Sequence, residues 1–174
     1  MKQNKFFGAV LWGIFIGYVV MVAVTLFGRG NMEYRNVNLI PFKSIAQGIG
    51  YHDGIRYHLV DMQAWGNVLI FAPMGLYIMI LSKRASVPLG LLKLALLSLG
   101  AEVIQYVFKM GASDIDDIIL NVLGGLLGVL AYLLLEKIFK TKEKVRSAIA
   151  ALSLCVGGPV ILLALVLIFV NYVR

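Results

Sequence analysis

The stretch Asp114-Ile-Asp-Asp-Ile-Ile-Leu-Asn-Val-Leu-Gly-Gly-Leu-Leu-Gly-Val-Leu-Ala-Tyr-Leu-Leu-Leu135 decides the fold of this chain. It opens with three aspartates and then runs apolar except for Asn121. A helix of this length, rising about 1.5 Å per residue, crosses a hydrocarbon core about 30 Å thick. The stretch is therefore predicted to span a membrane.

Four further segments are long and apolar enough to cross a membrane: residues 6–27, 65–81, 88–108 and 147–170, of which 65–81 is the shortest. The whole chain agrees with them, because 60% of its 174 residues are hydrophobic, only 14% are charged and the mean hydropathy is +0.88. Soluble domains carry roughly a quarter charged residues, so an ordinary soluble domain and a disordered chain are both excluded. We predict an all-α, polytopic bundle of five transmembrane helices, forming one domain over residues 1–174, with a polar outer loop after the first span.

The net charge of +7 has a membrane explanation. The first segment is longer than the apolar part of a signal peptide and no clear cleavage site follows it, so we expect a retained span with a cytoplasmic N-terminus. The C-terminus then lies outside, and the inner side carries more cations than the outer side, as the positive-inside rule requires. The inner cations are Lys2, Lys5, Lys83, Arg84, Lys137, Lys140, Lys142, Lys144 and Arg146, and the outer ones are Arg29, Arg35, Lys43, Arg56, Lys109 and Arg174. Nucleic acid is not an expected partner.

The third and fourth spans contain polar residues that are costly inside a bilayer. Gln105 follows Glu102 at i+3, and Asp114, Asp117 and Asn121 form one helical stripe. A short loop joins the two spans, so a tight hairpin is expected to set the first pair opposite Asp117 and Asn121. The resulting candidate polar cluster comprises Glu102, Gln105, Asp114, Asp116, Asp117 and Asn121.

A simpler interpretation exists for two of these residues. Ser113 and Asp116 fit a capping box, with Ser113 as N-cap and Asp116 at the third helical position. Acidic residues in a first turn also interact favourably with the helix dipole. Capping and function therefore both remain open for Asp114 and Asp116, whereas Glu102 has no capping role.

Candidate partners for the cluster are Arg35, Asn38 and Arg56 in the outer loop and Asn67 in the second span. Asn38 also fits the cap of a short helix with Pro41 in its first turn, which would bring nearby apolar residues to lipid or pack them on the rim of the bundle.

Other chemistry has weak support. His52 and His58 lack the spacing of a ligand pair, so neither a metal nor a cofactor is expected. No established catalytic motif is present, which favours a non-enzymatic role.

The lone Cys155 is expected to be a small buried hydrophobic residue. Two Gly-x-x-x-Gly spacings, Gly13–Gly17 and Gly124–Gly128, are typical of close contacts within a bundle or of a dimer face.

Several of these stretches together resemble the VanZ-like family of membrane proteins. They are Asn38-Leu-Ile-Pro-Phe42, Asn67-Val-Leu-Ile-Phe-Ala-Pro-Met-Gly75, Glu102-Val-Ile-Gln105 and Gly111-Ala-Ser-Asp-Ile-Asp-Asp-Ile-Ile-Leu-Asn-Val-Leu-Gly-Gly-Leu-Leu-Gly128. Their order and spacing hold from about residue 36 to 132. The family often has Arg shortly before the Asp-rich run, where this chain has Lys109 as its nearest cation.

The resemblance implies a protein of the Gram-positive cell envelope linked to low-level tolerance of teicoplanin, a lipid-tailed glycopeptide. Three roles stay open. The polar cluster binds or shields a lipid-like molecule at the outer leaflet, or it modifies a lipid head group with Glu102 as general base and Asp117 as an orienting or metal-binding carboxylate. Alternatively, the cluster only locks the helices together or serves assembly with a partner.

Overall fold

The computed structural model describes residues 2–28, 33–48, 51–52, 57–58, 62–82 and 86–173. Its helices are α1 (Lys2–Phe27), α2 (Lys43–Gly48), α3 (Met62–Leu81), α4 (Val87–Phe108), α5 (Ile115–Phe139), α6 (Lys142–Leu152) and α7 (Gly158–Val173), with a π-helical turn over Ser153–Gly157. Its strands are β1 (Val37–Asn38), β2 (Tyr51–His52), β3 (Tyr57–His58) and β4 (Ser113–Asp114).

In the described part of the chain, five helical stretches are long and apolar enough to cross a membrane, which confirms the predicted all-α, five-span architecture. They are Phe6–Phe27, Ala64–Leu81, Val87–Phe108, Ile115–Phe139 and Lys142–Leu163. The first four agree with the predicted spans to within a few residues. The orientation of the termini stays a prediction.

The fifth stretch starts earlier than its predicted boundary at residue 147. Helix α6 begins at Lys142 because Thr141 caps it, accepting a hydrogen bond from the Lys144 N–H through its side chain (3.4 Å). The apolar face of α6 buries Val145 and Ile149, so a stretch that reads as a basic loop is folded as an amphipathic helix.

The Gly157-Gly158-Pro159 sequence interrupts the helix, as expected for proline. Proline has no N–H and its ring crowds the preceding turn, and the chain responds with the π turn, in which the Gly158 N–H donates to the Ser153 carbonyl five residues back. Cys155 lies in this turn with an exposed side chain, so the prediction that it is buried is wrong. Its position on the outward side of the wider turn removes it from the packed face.

The contacts divide the chain into two compact units. One unit comprises Met1–Thr25 and Leu133–Arg174, with a core that includes Leu11, Val145 and Ile149. The other comprises Leu26–Tyr132 and contains the candidate polar cluster. A single domain over the whole chain stays a prediction.

Glycines set the spacing of α3 and α5 within the second unit. A Cβ added to Gly124 would collide with the Val68 carbonyl, and one added to Gly128 would collide with the Ala72 carbonyl. The two backbones therefore approach more closely than any side chain permits, which is the use that membrane helices make of small residues. The Gly124–Gly128 spacing is thus a contact within the bundle. No neighbouring atom lies within 4 Å of a Cβ built on Gly13 among the described residues.

Candidate functional site

The site is built around the start of α5, where a short parallel ladder joins it to the loop after the first span. Strand β1 pairs with β4, with Val37 opposite Ser113 and Asn38 opposite Asp114, and the Ser113 N–H donates to the Asn36 carbonyl (2.9 Å). Because β4 leads directly into α5, this ladder fixes the loop at the end of a membrane span.

Asp114 caps helix α5. Its Oδ1 accepts the N–H of Asp116 (2.9 Å), the second residue of the helix, as an N-cap side chain does. The predicted capping box, with Ser113 as N-cap and Asp116 at the third position, is therefore wrong by one residue. Asp114, and not Ser113, directly precedes Ile115, the first residue of the helix, and the Ser113 hydroxyl donates instead to the Glu102 carboxylate.

Asp116 fastens a distant segment instead of its own helix. Its Oδ1 accepts the Phe42 N–H (2.5 Å), and its Oδ2 accepts the N–H groups of Ser44 (2.7 Å) and Ile45 (3.1 Å). The residue is only 1% exposed. Hydrogen bonds to a charged group contribute about 1.5–3 kcal/mol each, so this carboxylate is a strong tie between α5 and the start of α2.

The local sequence explains why α2 needs this tie. The Phe42 carbonyl accepts the Ala46 N–H, so Phe42 occupies the N-cap position without a side chain that can cap. Its φ of 64° places it in the left-handed region, which is uncommon for a bulky residue. Asp116 supplies both the missing acceptor and the contacts that hold this conformation.

Asn38 links the same two segments. Its Nδ2 donates to Asp114 Oδ1 (2.9 Å) and to Ser44 Oγ (3.0 Å), and its Oδ1 accepts the Ile40 N–H (3.2 Å). The Ser44 hydroxyl donates to the other oxygen of Asp114. Asn38 therefore forms a turn of its own instead of capping a helix with Pro41 in its first turn, and that prediction is wrong because α2 begins after the proline, at Lys43.

Glu102, on α4, is bonded to the backbone of Asp114. It is 4% exposed, and its Oε2 accepts the Asp114 N–H (2.8 Å). Gln105, one turn further along α4, donates instead to the Leu26 carbonyl at the end of the first span (2.9 Å). Glu102 lies at the start of α5, as the predicted hairpin requires, whereas the amide of Gln105 donates to Leu26 and not to Asp117 or Asn121.

Two polar pairs continue into the spans. The Asn67 side chain donates to Asp117 Oδ1 (2.6 Å), which joins α3 to α5. One turn deeper, the Asn121 amide donates to Ser98 Oγ (2.9 Å) and joins α5 to α4, while Asn121 Oδ1 is buried without a hydrogen-bond partner among the described residues. Each of these two pairs thus ties two spans together, which offsets part of the cost of its polar groups in lipid.

Arg35 does not reach these carboxylates. Its Nε donates to the Tyr106 carbonyl (3.3 Å), and its guanidinium lies 5.4 Å from the centre of the Tyr106 ring. Arg56, the other predicted loop cation, lies outside the described residues. Within the described residues, amide N–H groups and the hydroxyls of Ser44 and Ser113, not cations, are the hydrogen-bond partners of Asp114, Asp116 and Glu102.

Sequence reasoning missed Ser44 and Ser98. Ser98 has a signal, since Ser98, Glu102 and Gln105 lie at i, i+4 and i+7 on one face of α4. Ser44 has no such signal, because its role depends on a turn that no local pattern predicts.

The register of the β2–β3 pair sets each of His52 and His58 opposite a tyrosine. No group of three metal-ligating side chains is assembled in the part of the chain that the structure describes.

The held segment presents an apolar turn. Leu39 is 72% exposed, and Ile40 and Phe42 are each 61% exposed, although the backbone around them is tied to α5. We call Leu39–Phe42 the apolar turn. Polar groups face inward and apolar groups outward here, which is the reverse of the pattern that water favours.

These features define a class: a polytopic α-helical membrane protein in which buried carboxylates fasten an apolar loop to the ends of its spans. A family model described as VanZ/LLP1 matches residues 7–136. The chain is also 33% identical over 144 residues to Protein VanZ from Enterococcus faecium, a match that covers 83% of this chain and 77% of that protein. No solved structure matches the chain. The chain therefore belongs to the VanZ/LLP1 family, and the predicted resemblance is confirmed.

Proposed function

We propose that this VanZ-like membrane protein binds a lipid-like molecule at the outer leaflet and thereby gives low-level tolerance to lipid-tailed glycopeptide antibiotics. The observation that carries the proposal is the apolar turn, whose side chains are exposed while its backbone is held by Asp116 and Asn38. An apolar segment fixed next to the ends of membrane spans is suited to contact acyl chains at the interface.

The acidic residues contribute by positioning the turn. Asp116 accepts three N–H groups from residues 42–45, and Asp114 is bonded by Asn38 and Ser44. A turn that is already ordered loses little conformational entropy when a ligand binds, so the cluster raises affinity without touching the ligand. This assigns the cluster a supporting role and the turn the contact with lipid.

The experiment compares variants of the turn and of the cluster in a Gram-positive host. The double variant Leu39→Gln/Phe42→Asn removes two apolar side chains, and asparagine tolerates the left-handed backbone at position 42. Tyr34→Ser is the matched control, since Tyr34 is 80% exposed in the same loop but lies outside the turn. The minimum inhibitory concentration of teicoplanin and the amount of protein in the membrane are measured together.

The turn variant is expected to return tolerance to the level of the host without the gene, at normal abundance, while Tyr34→Ser keeps it. Full tolerance in the turn variant overturns the proposal, as does an absence of tolerance in cells that express the unaltered chain.

A structural or assembly role is the second candidate, because Asn67–Asp117 and Ser98–Asn121 tie the spans together. That role predicts that Asp117 and Asn121 variants disappear from the membrane and that turn variants behave like the unaltered chain.

A further inference from the structure

We propose that Arg35 and Lys109 form a site for the phosphate of a lipid head group at the end of α4. This inference rests on the proposed function, because the lipid concerned is the one whose chains contact the apolar turn. Arg35 precedes Leu39 by four residues, so at most about 14 Å of extended chain separates them. One lipid molecule can therefore reach both.

Arg35 is held in a defined position that leaves most of its donors free for an anion. The Nε–H bond to the Tyr106 carbonyl and the stacking on the Tyr106 ring use one N–H and one face of the guanidinium. A guanidinium has five N–H groups, so the four on its two terminal nitrogens remain. Their planar fork matches two phosphate oxygens, and prior stacking reduces the entropy lost on binding.

Lys109 supplies a second cation at the same end of α4 as Tyr106, the residue that holds Arg35. It ends α4 in a left-handed conformation, three residues after Tyr106, and its Nζ lies 3.4 Å from the Glu33 carbonyl. A bond of that length to a neutral carbonyl holds the ammonium weakly, so a phosphate oxygen can replace it. Within the described residues, no carboxylate forms an ion pair with Arg35 or Lys109.

The position of the pair favours a lipid phosphate over a free one. Val107 and Phe108, the last residues of α4, are exposed, as lipid-facing residues of a span are. The two cations therefore lie at the level where the apolar part of the span ends and where head-group phosphates begin. A cation at a helix C-terminus also interacts favourably with the helix dipole, but that effect accounts for Lys109 alone.

Native mass spectrometry of the full-length protein in detergent tests the site. The ligands are dioleoylphosphatidylglycerol and dioleoylglycerol, which share their acyl chains and differ in the phosphate-containing head group. The variants are Arg35→Gln, Arg35→Lys and Lys109→Gln, and Lys144→Gln is the control, since Lys144 is an exposed cation in a different part of the chain. Inorganic phosphate is added as a competitor.

Arg35→Gln is expected to lower the affinity for phosphatidylglycerol about fivefold, as expected for one cation near a charged lipid. It should leave dioleoylglycerol binding unchanged. Arg35→Lys, which keeps the charge but loses the fork, is expected to fall between Arg35→Gln and the unaltered protein. Lys109→Gln should lower phosphatidylglycerol affinity and Lys144→Gln should not. An unchanged affinity in Arg35→Gln, or an equal loss in Lys144→Gln, overturns the site. Displacement of the lipid by an equal concentration of inorganic phosphate overturns the lipid as its source.

The same experiment tests the proposed function separately from the phosphate site. The Leu39→Gln/Phe42→Asn variant should lose dioleoylglycerol binding, because the apolar turn contacts only the chains. If it binds dioleoylglycerol normally, the proposed function fails, whereas the phosphate site is judged from the ratio of the two lipids in the Arg35 variants.

Discussion

Asp116→Asn gives a direct test of how the apolar turn is held. The substitution keeps the shape of the side chain but converts one acceptor oxygen into an N–H₂ donor. If the remaining oxygen faces Ser44 and Ile45, the new donor opposes the Phe42 N–H and that hydrogen bond is lost.

The expected size of the effect comes from this one bond. A hydrogen bond to a charged group contributes about 1.5–3 kcal/mol, so the free energy of local opening of the turn should fall by that amount. Since 1.4 kcal/mol corresponds to a factor of ten, amide exchange at residues 42–46 should accelerate about 10- to 150-fold. Asp116→Ala removes all three bonds and should accelerate it further.

Hydrogen exchange measured by mass spectrometry on the solubilised protein reports this opening. Glu143→Gln is the matched control, because it removes an acidic residue from the exposed first turn of another helix, α6. Exchange within twofold of the unaltered protein in Asp116→Asn would refute the reasoning, since the carboxylate would then not be what holds the turn.

Two further predictions concern the spans. Gly128→Ala should lower the free energy of unfolding by about 1–3 kcal/mol, because the added Cβ meets the Ala72 carbonyl and the helices must separate. Gly100→Ala is the control and should not destabilise the protein, since there is open space around Gly100. Thermal unfolding in detergent compares the two variants, and equal melting temperatures would contradict the packing. Ser98→Ala should cost about 1–3 kcal/mol by leaving the Asn121 amide buried without a partner, and the double variant Ser98→Ala/Asn121→Leu should recover most of the loss. A double variant that melts as low as Ser98→Ala would contradict that account.

Hydropathy predicts the spans well because the bilayer imposes one length and one polarity on every crossing helix. The positions of Glu102, Asp117 and Asn121 follow from the same periodicity; Asp117 and Asn121 join spans, and Glu102 joins α4 to β4 at the start of α5. Asn67 is among the predicted partners and bonds to Asp117, whereas Ser98 was missed, because the partner of Asn121 depends on how α4 is rotated against α5.

Sequence reasoning named Asn38 as a loop partner of the cluster, and Asn38 bonds to Asp114, but it could not supply the loop contacts of Asp116. Asp116 binds backbone N–H groups, which every residue except proline possesses and which therefore leave no trace in the sequence. The left-handed backbone of Phe42 cannot be predicted from the sequence either, because a phenylalanine side chain disfavours this conformation and the carboxylate that stabilises it, Asp116, is distant in the sequence. A local reading thus places the helix start at Asn38–Pro41, several residues too early.

The tie between Asp116 and Phe42 spans 74 positions along the chain, which has a consequence for biogenesis. At a synthesis rate of about 5–20 residues per second, the ribosome needs about 4–15 s to produce the second partner after the first. During that interval the loop lacks the Asp116 carboxylate as an acceptor for its N–H groups, so its final form waits for the synthesis of α5. The order of synthesis therefore makes the start of α5 the closing step in the maturation of this loop.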